Sequence, residues 1–144
     1  MDYYADTGFL ISLYINETTT VTANSTLQAV TQPLPLIPLG FLELRNALYL
    51  AVFRKQIEER IRRAAWQTIE RDIHGRIFTR TQLDPDRLHE KAAELADKHS
   101  ATAGIRTLDL IHVAAAVLLG TRRFLSFDNR QRIVAKREGL EILP

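Results

Sequence analysis

The sequence predicts an α/β fold, a three-layer α/β/α sandwich with a central, mainly parallel five-stranded sheet. Short apolar segments alternate along the chain with longer segments of helical periodicity, an order typical of strands joined by crossover helices. The 144 residues contain neither an internal repeat nor a linker-like stretch, so we expect one domain over residues 1–144. Right-handed crossovers between parallel strands place helices on both faces of a sheet.

Five segments are predicted to be strands because they are short and rich in apolar or β-branched residues. They are residues 2–5, 33–38, 77–82, 123–127 and 141–143. The second segment, Pro33–Pro38, contains three prolines, and proline has no N–H group to donate to a neighbouring strand. We therefore expect this segment to be extended but poorly suited to the interior of a sheet.

About seven helices are predicted from apolar periodicity and end signals. They cover residues 7–15, 17–32, 39–54, 56–72, 84–99, 108–119 and 129–137. Pro85 suits the first turn of its helix, Thr107 is the predicted N-cap of the next helix, and Gly120 follows that helix. Residues 17–32 include six Thr, a weak helix former, so we expect a poor helix or a mobile surface segment there.

The composition excludes several classes of protein. An apolar content of 46% and a net charge of +2 argue against disorder. The absence of cysteine excludes disulfide scaffolds, cysteine nucleophiles, zinc fingers and iron–sulfur sites. The acidic start of the chain lacks a signal peptide, and no apolar run approaches the ~20 residues of a membrane span. We therefore expect a cytoplasmic protein without a membrane partner.

The cations are mostly arginine, which accounts for 15 of the 19 basic residues. Arg binds phosphate through two parallel hydrogen bonds and stacks on bases, which favours a nucleic-acid or carboxylate partner. A genome rich in Arg codons would give the same composition. Trp66, close to Arg62 and Arg63 in the sequence, is either a base-stacking residue or a packing residue of its helix.

Four acidic residues differ from the solvated acids of the charged helices. Asp6 and Asp128 follow predicted strands, at the sheet edge where open α/β folds bind ligands, but Asp is also a common helix N-cap. Glu43 shares a helix face with apolar residues, where a carboxylate is costly unless a local or tertiary Arg pairs with it. Asp109 begins a nearly all-apolar helix, where it either complements the helix dipole or belongs to a site.

Four carboxylates at one sheet edge would repel each other unless a cation joined them. Sites made only of carboxylates suit Mg²⁺ or Mn²⁺, which also bind substrate phosphate and orient water for in-line attack on a phosphodiester. Other chemistries lack their motifs, since there is no His-Glu-x-x-His sequence, P-loop, dinucleotide-binding glycine motif or nucleophile elbow. His112, on an apolar helix, is expected to be a hydrogen-bonded core histidine.

Several of these segments, taken in order, resemble the PIN-domain family. Tyr3–Ile11 looks like the opening of PIN-domain proteins, Glu43–Leu48 resembles the helix with the family's acidic Glu, and Leu108–Ala116 is similar to its third acidic segment. Phe124–Asp128, followed by Gly139–Pro144, resembles the family's ending. Together, these motifs span nearly the whole chain.

The size and single-domain build look most like the VapC toxins of toxin–antitoxin pairs. This resemblance implies a Mg²⁺- or Mn²⁺-dependent endoribonuclease that cleaves RNA, forms a homodimer and is neutralised by a cognate antitoxin protein. It also implies an acidic catalytic and metal-binding site with two supporting hydroxyl groups. The acids would be Asp6, Glu43, Asp109 and Asp128, and the hydroxyl groups those of Thr7 and Ser126.

Two other functions compete with RNA cleavage. The chain is alternatively a catalytically degenerate PIN-like module that binds a protein partner or RNA, although the four intact acids argue against this hypothesis. A phosphoacceptor or phosphatase on a similar sheet is disfavoured, because that chemistry needs a second acid two residues after the nucleophile, where Gly8 stands.

Overall fold

A computed structural model describes all residues of the chain, 1–144. Each of its five strands is three residues long: β1 Tyr3–Ala5, β2 Leu34–Leu36, β3 Phe78–Arg80, β4 Arg123–Leu125 and β5 Glu141–Leu143. Every strand pair is parallel. All five predicted strands are therefore present, the first four shorter than expected and the last with the expected bounds.

Eight α-helices connect the strands. They are α1 Thr7–Ile11, α2 Thr20–Gln28, α3 Pro38–Phe53, α4 Glu59–His74, α5 Pro85–Leu95, α6 Ala101–Ala103, α7 Thr107–Leu118 and α8 Asn129–Arg137. A π-helical segment, Ala96–Ser100, joins α5 to α6, so the predicted helix over residues 84–99 is regular only in its first part. None of these helices is both long and apolar enough to cross a lipid bilayer.

The strands form two sheets, so the prediction of a single five-stranded sheet is wrong. One sheet has the order β1-β4-β5, and the other pairs β2 with β3. Leu34 N–H donates to the Ile77 carbonyl and Thr81 N–H donates to the Leu36 carbonyl, so the residue between them, Pro35, directs its backbone away from β3. β1 lies along that other edge of β2. Because Pro35 has no N–H to donate, the ladder between β1 and β2 does not form.

Successive residues of β1 and β4 face opposite layers of helices. The rings of Tyr4 and Phe124 stack with their centroids 5.8 Å apart and belong to a core formed with α5, α7 and α8. Ala5 and Leu125 belong to a second core, formed with β2, β3, α1, α2 and α3. Helices thus cover both faces of the strands, as expected for three layers.

Helices α3 and α4 form a hairpin with a small core of its own. Leu48 and Ala51 of α3 pack with Ala65 and Ile69 of α4. Helix α3 also packs on α1. This double contact fixes the long helix that carries Glu43 beside the carboxyl end of β1.

Trp66 of α4 is a packing residue of this hairpin. Its ring meets the ring of Phe41 edge-on, with 5.3 Å between the centroids, and the guanidinium carbon of Arg45 lies 4.2 Å from its centroid. The ring is therefore covered by residues of the chain itself, which supports the packing interpretation of Trp66 rather than the base-stacking one.

Two local predictions meet different outcomes. Residues 17–32 contain the nine-residue helix α2, in agreement with the poor-helix alternative, and three of its side chains bond to backbone carbonyls four residues earlier. The N-cap of α7 is Arg106 and not Thr107, which is the first helical residue. Arg106 has extended backbone angles and Thr107 is already within the helix, so the Thr107 side chain does not cap it.

Candidate functional site

The carboxyl ends of β1 and β4 border a cleft of about 920 Å³ that extends along α3. All four acids singled out from the sequence line this cleft, although they come from four distant segments: Asp6, Glu43, Asp109 and Asp128. Thr7 lines it as well. Ser126 is fully buried and reaches the cleft through its hydrogen bond to Asp6. The tertiary fold therefore brings the six predicted residues into one neighbourhood.

Asp6 follows β1 and is the N-cap of α1, so the capping interpretation is confirmed. Its Oδ1 accepts the N–H of Phe9 at 2.7 Å. Its Oδ2 accepts the Ser126 hydroxyl at 2.5 Å and the Gln131 amide at 3.0 Å. Only 2% of Asp6 is exposed, and this burial raises its pKa, while the hydrogen bonds from Ser126 and Phe9 act in the opposite direction.

Gln131 of α8 joins Asp6 to Asp109. Its Nε2 donates to Oδ2 of Asp6 at 3.0 Å and to Oδ1 of Asp109 at 3.2 Å. Carboxylates only accept hydrogen bonds, so the amide nitrogen of Gln131 must be the atom that faces Asp6 and Asp109. The amide oxygen, Oε1, is consequently buried without a partner. The two acids thus share one donor, and the pair is bridged by a neutral group rather than by a positive charge.

Arg106 provides the positive charge of the site. Its Nε donates to Oδ2 of Asp109 at 2.8 Å, and 71% of the Arg106 side chain is exposed. This hydrogen bond and the negative charges of Asp109, Asp128 and Glu43 raise the pKa of Arg106. The guanidinium therefore sits within the field of three acids while making an ion pair with only one of them.

Glu43 is held by two donors from other elements. Thr7 donates its hydroxyl to Oε2 at 2.6 Å, and Nε2–H of His112 donates to the same oxygen at 2.5 Å. Burial acts to raise the pKa of Glu43, but the hydrogen bonds from His112 and Thr7 and the nearby positive charge of Arg106 outweigh it, so the pKa is lowered. Nδ1 of His112 lies 2.8 Å from the buried hydroxyl of Tyr4. The alternative that an Arg pairs with Glu43 is not observed, and its partner is His112.

Asp128 is the N-cap of α8, as the capping interpretation expected. Its Oδ1 accepts the N–H of Gln131 at 2.9 Å, and its own N–H donates to the Ser126 hydroxyl oxygen at 3.0 Å. Ser126 therefore connects Asp128 to Asp6 through a single hydroxyl group.

The donor set fits a hard divalent cation. The acids contribute carboxylate oxygens, which are the ligands that such ions prefer. No three Asp, Glu or His side chains converge closely enough to bind one ion directly. Mg²⁺ is commonly held by one or two carboxylates, with water completing its six ligands, so two of these acids would be sufficient to hold it.

Sequence reasoning missed two contributors to this cluster, Tyr4 and Gln131. Gln131 is the third residue after the cap Asp128, a spacing typical of a capping box, which would have directed attention to it. In the structure its amide turns instead to Asp6 and Asp109. Nothing in the local sequence distinguishes Tyr4 from an ordinary buried strand residue. The expectation that His112 is a hydrogen-bonded core histidine is confirmed.

Comparison with solved structures shows the same fold in a toxin and in other proteins. VapC20 from Mycobacterium tuberculosis, described as a sarcin–ricin loop cleaving toxin, superimposes with a TM-score of 0.70 at 18% identity, over 99% of this chain and 100% of that chain. VapBC2 from Rickettsia felis, bound to a promoter DNA fragment, gives a TM-score of 0.69 at 10% identity, over 99% of this chain and 97% of that chain. For FitAcB from Neisseria gonorrhoeae the TM-score is 0.66 at 14% identity, over 99% and 96%.

These identities are low and show a common fold. No curated protein sequence matches the chain significantly. The family model of the PIN domain, in contrast, matches residues 3–137, which is nearly the whole chain and includes all four acids of the cleft. With this match, the earlier resemblance is confirmed, and the chain belongs to the PIN domain family.

Proposed function

We propose that this protein is a Mg²⁺- or Mn²⁺-dependent endoribonuclease and the toxin of a toxin–antitoxin pair. The observation that carries the proposal is that Asp6, Glu43, Asp109 and Asp128 line one cleft at the strand ends of a PIN domain. Such a concentration of carboxylates costs free energy in an apo protein and is typical of sites that bind divalent cations. The shared fold of VapC20, described as a cleaving toxin, supports the same conclusion.

Asp6 and Asp109 are the ligands that we assign first. Their facing oxygens lie close enough to share one amide group, that of Gln131. Glu43 and Asp128 line the same cleft and complete the acidic set. A bound cation would neutralise charge on the scissile phosphate and lower the pKa of a water molecule that attacks it.

The surrounding residues hold these acids in fixed orientations. The Ser126 hydroxyl holds Asp6, and Thr7 and His112 hold the Glu43 carboxylate from two sides. Arg106, which is exposed and already in the acidic field, is the residue that contacts a non-bridging phosphate oxygen of the RNA. Preorganised donors of this kind lower the reorganisation needed to reach the transition state.

The cellular part of the proposal concerns partners. The fold neighbours include the VapBC2 and FitAcB assemblies, which supports a cognate antitoxin as the protein partner of this chain. We further propose that the toxin acts in the cytoplasm as a homodimer. Co-expression with the product of the adjacent gene, followed by purification of a stable complex, tests the antitoxin assignment.

The test of the reaction uses protein freed of antitoxin, single-stranded RNA and Mn²⁺. We expect cleavage by the wild type and a loss of at least about 100-fold in Asp109→Asn, with its circular dichroism spectrum unchanged. Asp97→Asn is the matched control, because Asp97 is exposed on the π-helical segment and makes no ion pair.

A degenerate binding module would behave differently. It would leave RNA intact under all divalent cations, and calorimetric titration would show no Mn²⁺ uptake that depends on Glu43. That pair of results would contradict the nuclease proposal and support the binding-module alternative.

A further inference from the structure

The cleft continues beyond the acids along one face of α3. Glu43, Ala47, Leu50 and Arg54 all line it, at spacings of four, three and four residues. Eleven residues make just over three helical turns, so Glu43 and Arg54, the C-cap of α3, lie on the same side of the helix, separated by about 16 Å at 1.5 Å per residue. Arg54 therefore marks the end of the cleft away from Glu43.

The chain that follows α1 runs beside α3 toward this end. Thr7, the first residue of α1, contacts Glu43, and Ile15, after α1, packs with Leu48 and Ala51 later in α3. Thr18 and Thr19, which follow this point in the sequence, line the same cleft as Arg54. This part of the Thr-rich segment, which the acidic site leaves without a role, thus forms a wall of the cleft.

The balance of charge in the cleft is unfavourable for RNA. Its lining contains five acids and two arginines: Asp6, Glu17, Glu43, Asp109, Asp128, Arg54 and Arg106. Arg106 makes an ion pair with Asp109. Arg54 is exposed and makes neither an ion pair nor a side-chain hydrogen bond. A polyanion that enters this cleft gains most of its affinity from contacts with cationic side chains. Among the side chains that line the cleft, Arg54 is the arginine without an acidic partner.

We propose that Arg54 binds a backbone phosphate of the RNA, several nucleotides from the cleavage site, and thereby aligns the strand along α3. This inference rests on the proposed nuclease function and names how the substrate is held. At about 3.4 Å per stacked nucleotide, the 16 Å from Glu43 to Arg54 corresponds to about five nucleotides, and to fewer in an extended strand.

The neighbouring wall offers one free hydroxyl, that of Thr18, to a ribose–phosphate backbone. The hydroxyls of Ser12 and Thr19 lie 2.7 Å apart and bond to each other, and Ser12 also bonds to Glu17. The exposed Thr18 hydroxyl has no partner and is available to the same phosphate or to a 2′-hydroxyl. Leu50 and Ile11 offer apolar surface between Arg54 and the acids, which suits the faces of bases.

The test separates binding from cleavage. Fluorescence anisotropy with a labelled single-stranded RNA measures the Kd of Asp109→Asn protein, which retains Arg54 but does not cleave, and of the same protein with Arg54→Gln added. We expect Arg54→Gln to weaken binding about tenfold. We also expect it to lower the slope of log Kd against log salt concentration by about 0.7, the contribution of one single-strand phosphate contact.

Arg87→Gln is the matched control, because Arg87 is exposed on α5, makes no ion pair and does not line the cleft. In cleavage assays of the otherwise wild-type chain, Arg54→Gln should raise KM with little change in kcat, and Arg54→Lys should restore most of the loss in KM. RNA that is shortened on the side that reaches Arg54 lacks the phosphate proposed to bind there. Such RNA should bind equally well to the proteins with and without the Arg54→Gln substitution.

Three results would overturn the inference. They are an unchanged salt slope in Arg54→Gln, an effect no larger than that of Arg87→Gln, or an effect that persists when the RNA is shortened on either side. The binding readout does not require cleavage, so RNA that binds through Arg54 but is never cut would refute the proposed nuclease function and leave this contact standing. RNA cleavage that is unchanged in Arg54→Gln would refute the proposed Arg54 contact and leave the nuclease function standing.

Discussion

Nε2 of His112 lies 2.5 Å from Oε2 of Glu43, across 69 residues of sequence. An ionised carboxylate only accepts, so Nε2 carries the proton of this bond. Burial raises the pKa of Tyr4 far above its ordinary value, and its hydroxyl therefore keeps its proton and donates to Nδ1 of His112. Both imidazole nitrogens of His112 have a partner when the ring is neutral, since Nε2 donates to Glu43 and Nδ1 accepts from Tyr4. A second proton on His112 would leave the Tyr4 hydroxyl hydrogen without an acceptor.

Removal of the Tyr4 hydroxyl tests this arrangement. In Tyr4→Phe, Nδ1 of His112 becomes a buried acceptor without a donor, and we expect the free energy of unfolding to fall by about 1–3 kcal/mol. Urea denaturation measures the change. Tyr49→Phe is the control, because the Tyr49 side chain is half exposed and its hydroxyl has no partner. Equal stability of Tyr4→Phe and the wild type would show that the hydroxyl does not support the imidazole.

Asp6 should give the protein a characteristic dependence on pH. Its raised pKa means that the folded protein binds this proton more tightly than the unfolded chain does. The group therefore stabilises the fold below its unfolded pKa of about 3.9, and this contribution is lost as the pH rises through the folded pKa.

The variant Asp6→Asn does not titrate at this position, which isolates the effect. Urea denaturation in the presence of a chelator should show the stability of the wild type falling relative to Asp6→Asn as the pH rises from 4 to 7. A constant difference across this range would contradict the raised pKa of Asp6.

Gln131 is expected to matter most when no cation is bound. In Gln131→Met, Asp6 and Asp109 lose their shared donor, and we expect a loss of about 1–3 kcal/mol in chelator. Mn²⁺ would take over the neutralisation of the two carboxylates, so the variant should gain more from Mn²⁺ than the wild type does. Thermal melts of both proteins with chelator and with Mn²⁺ provide the comparison. A smaller gain in the variant would assign Gln131 to the metal site itself.

Asp128 caps helix α8 and is also proposed to bind the cation, and the variant Asp128→Asn separates these two functions. Asn caps helices about as well as Asp, so the bond from Gln131 N–H to this side chain is retained. Like charge at Asp128 opposes the ionisation of Asp6, so we expect the metal-free Tm of Asp128→Asn to be no lower than that of the wild type.

Metal should then distinguish the two proteins. A cation at 100 times its Kd stabilises the wild type by about 2.7 kcal/mol, which amounts to several degrees in Tm. This increase should be smaller in Asp128→Asn. Identical increases in the two proteins would remove Asp128 from the metal site and leave it only as a helix cap.

The sequence by itself determined the order of the strands and of the longer helices, and it identified the four acids. Periodicity, prolines and caps act over a few residues, so β5 and α8 have the predicted bounds and Asp6 and Asp128 cap the helices that follow their strands. The placement of Asp6, Asp109 and Asp128 near one edge also follows from parallel strand order, since that order brings strand ends together.

Tertiary structure alone decided how these acids are held. The bonds from His112 to Glu43 and from Gln131 to both Asp6 and Asp109 join residues far apart in sequence, and they depend on which side chains face each other after the layers have packed. The same holds for the two separate sheets. A proline in β2 warns of a weak strand, but only the position of β1 beside it determines that the missing N–H divides the sheet there.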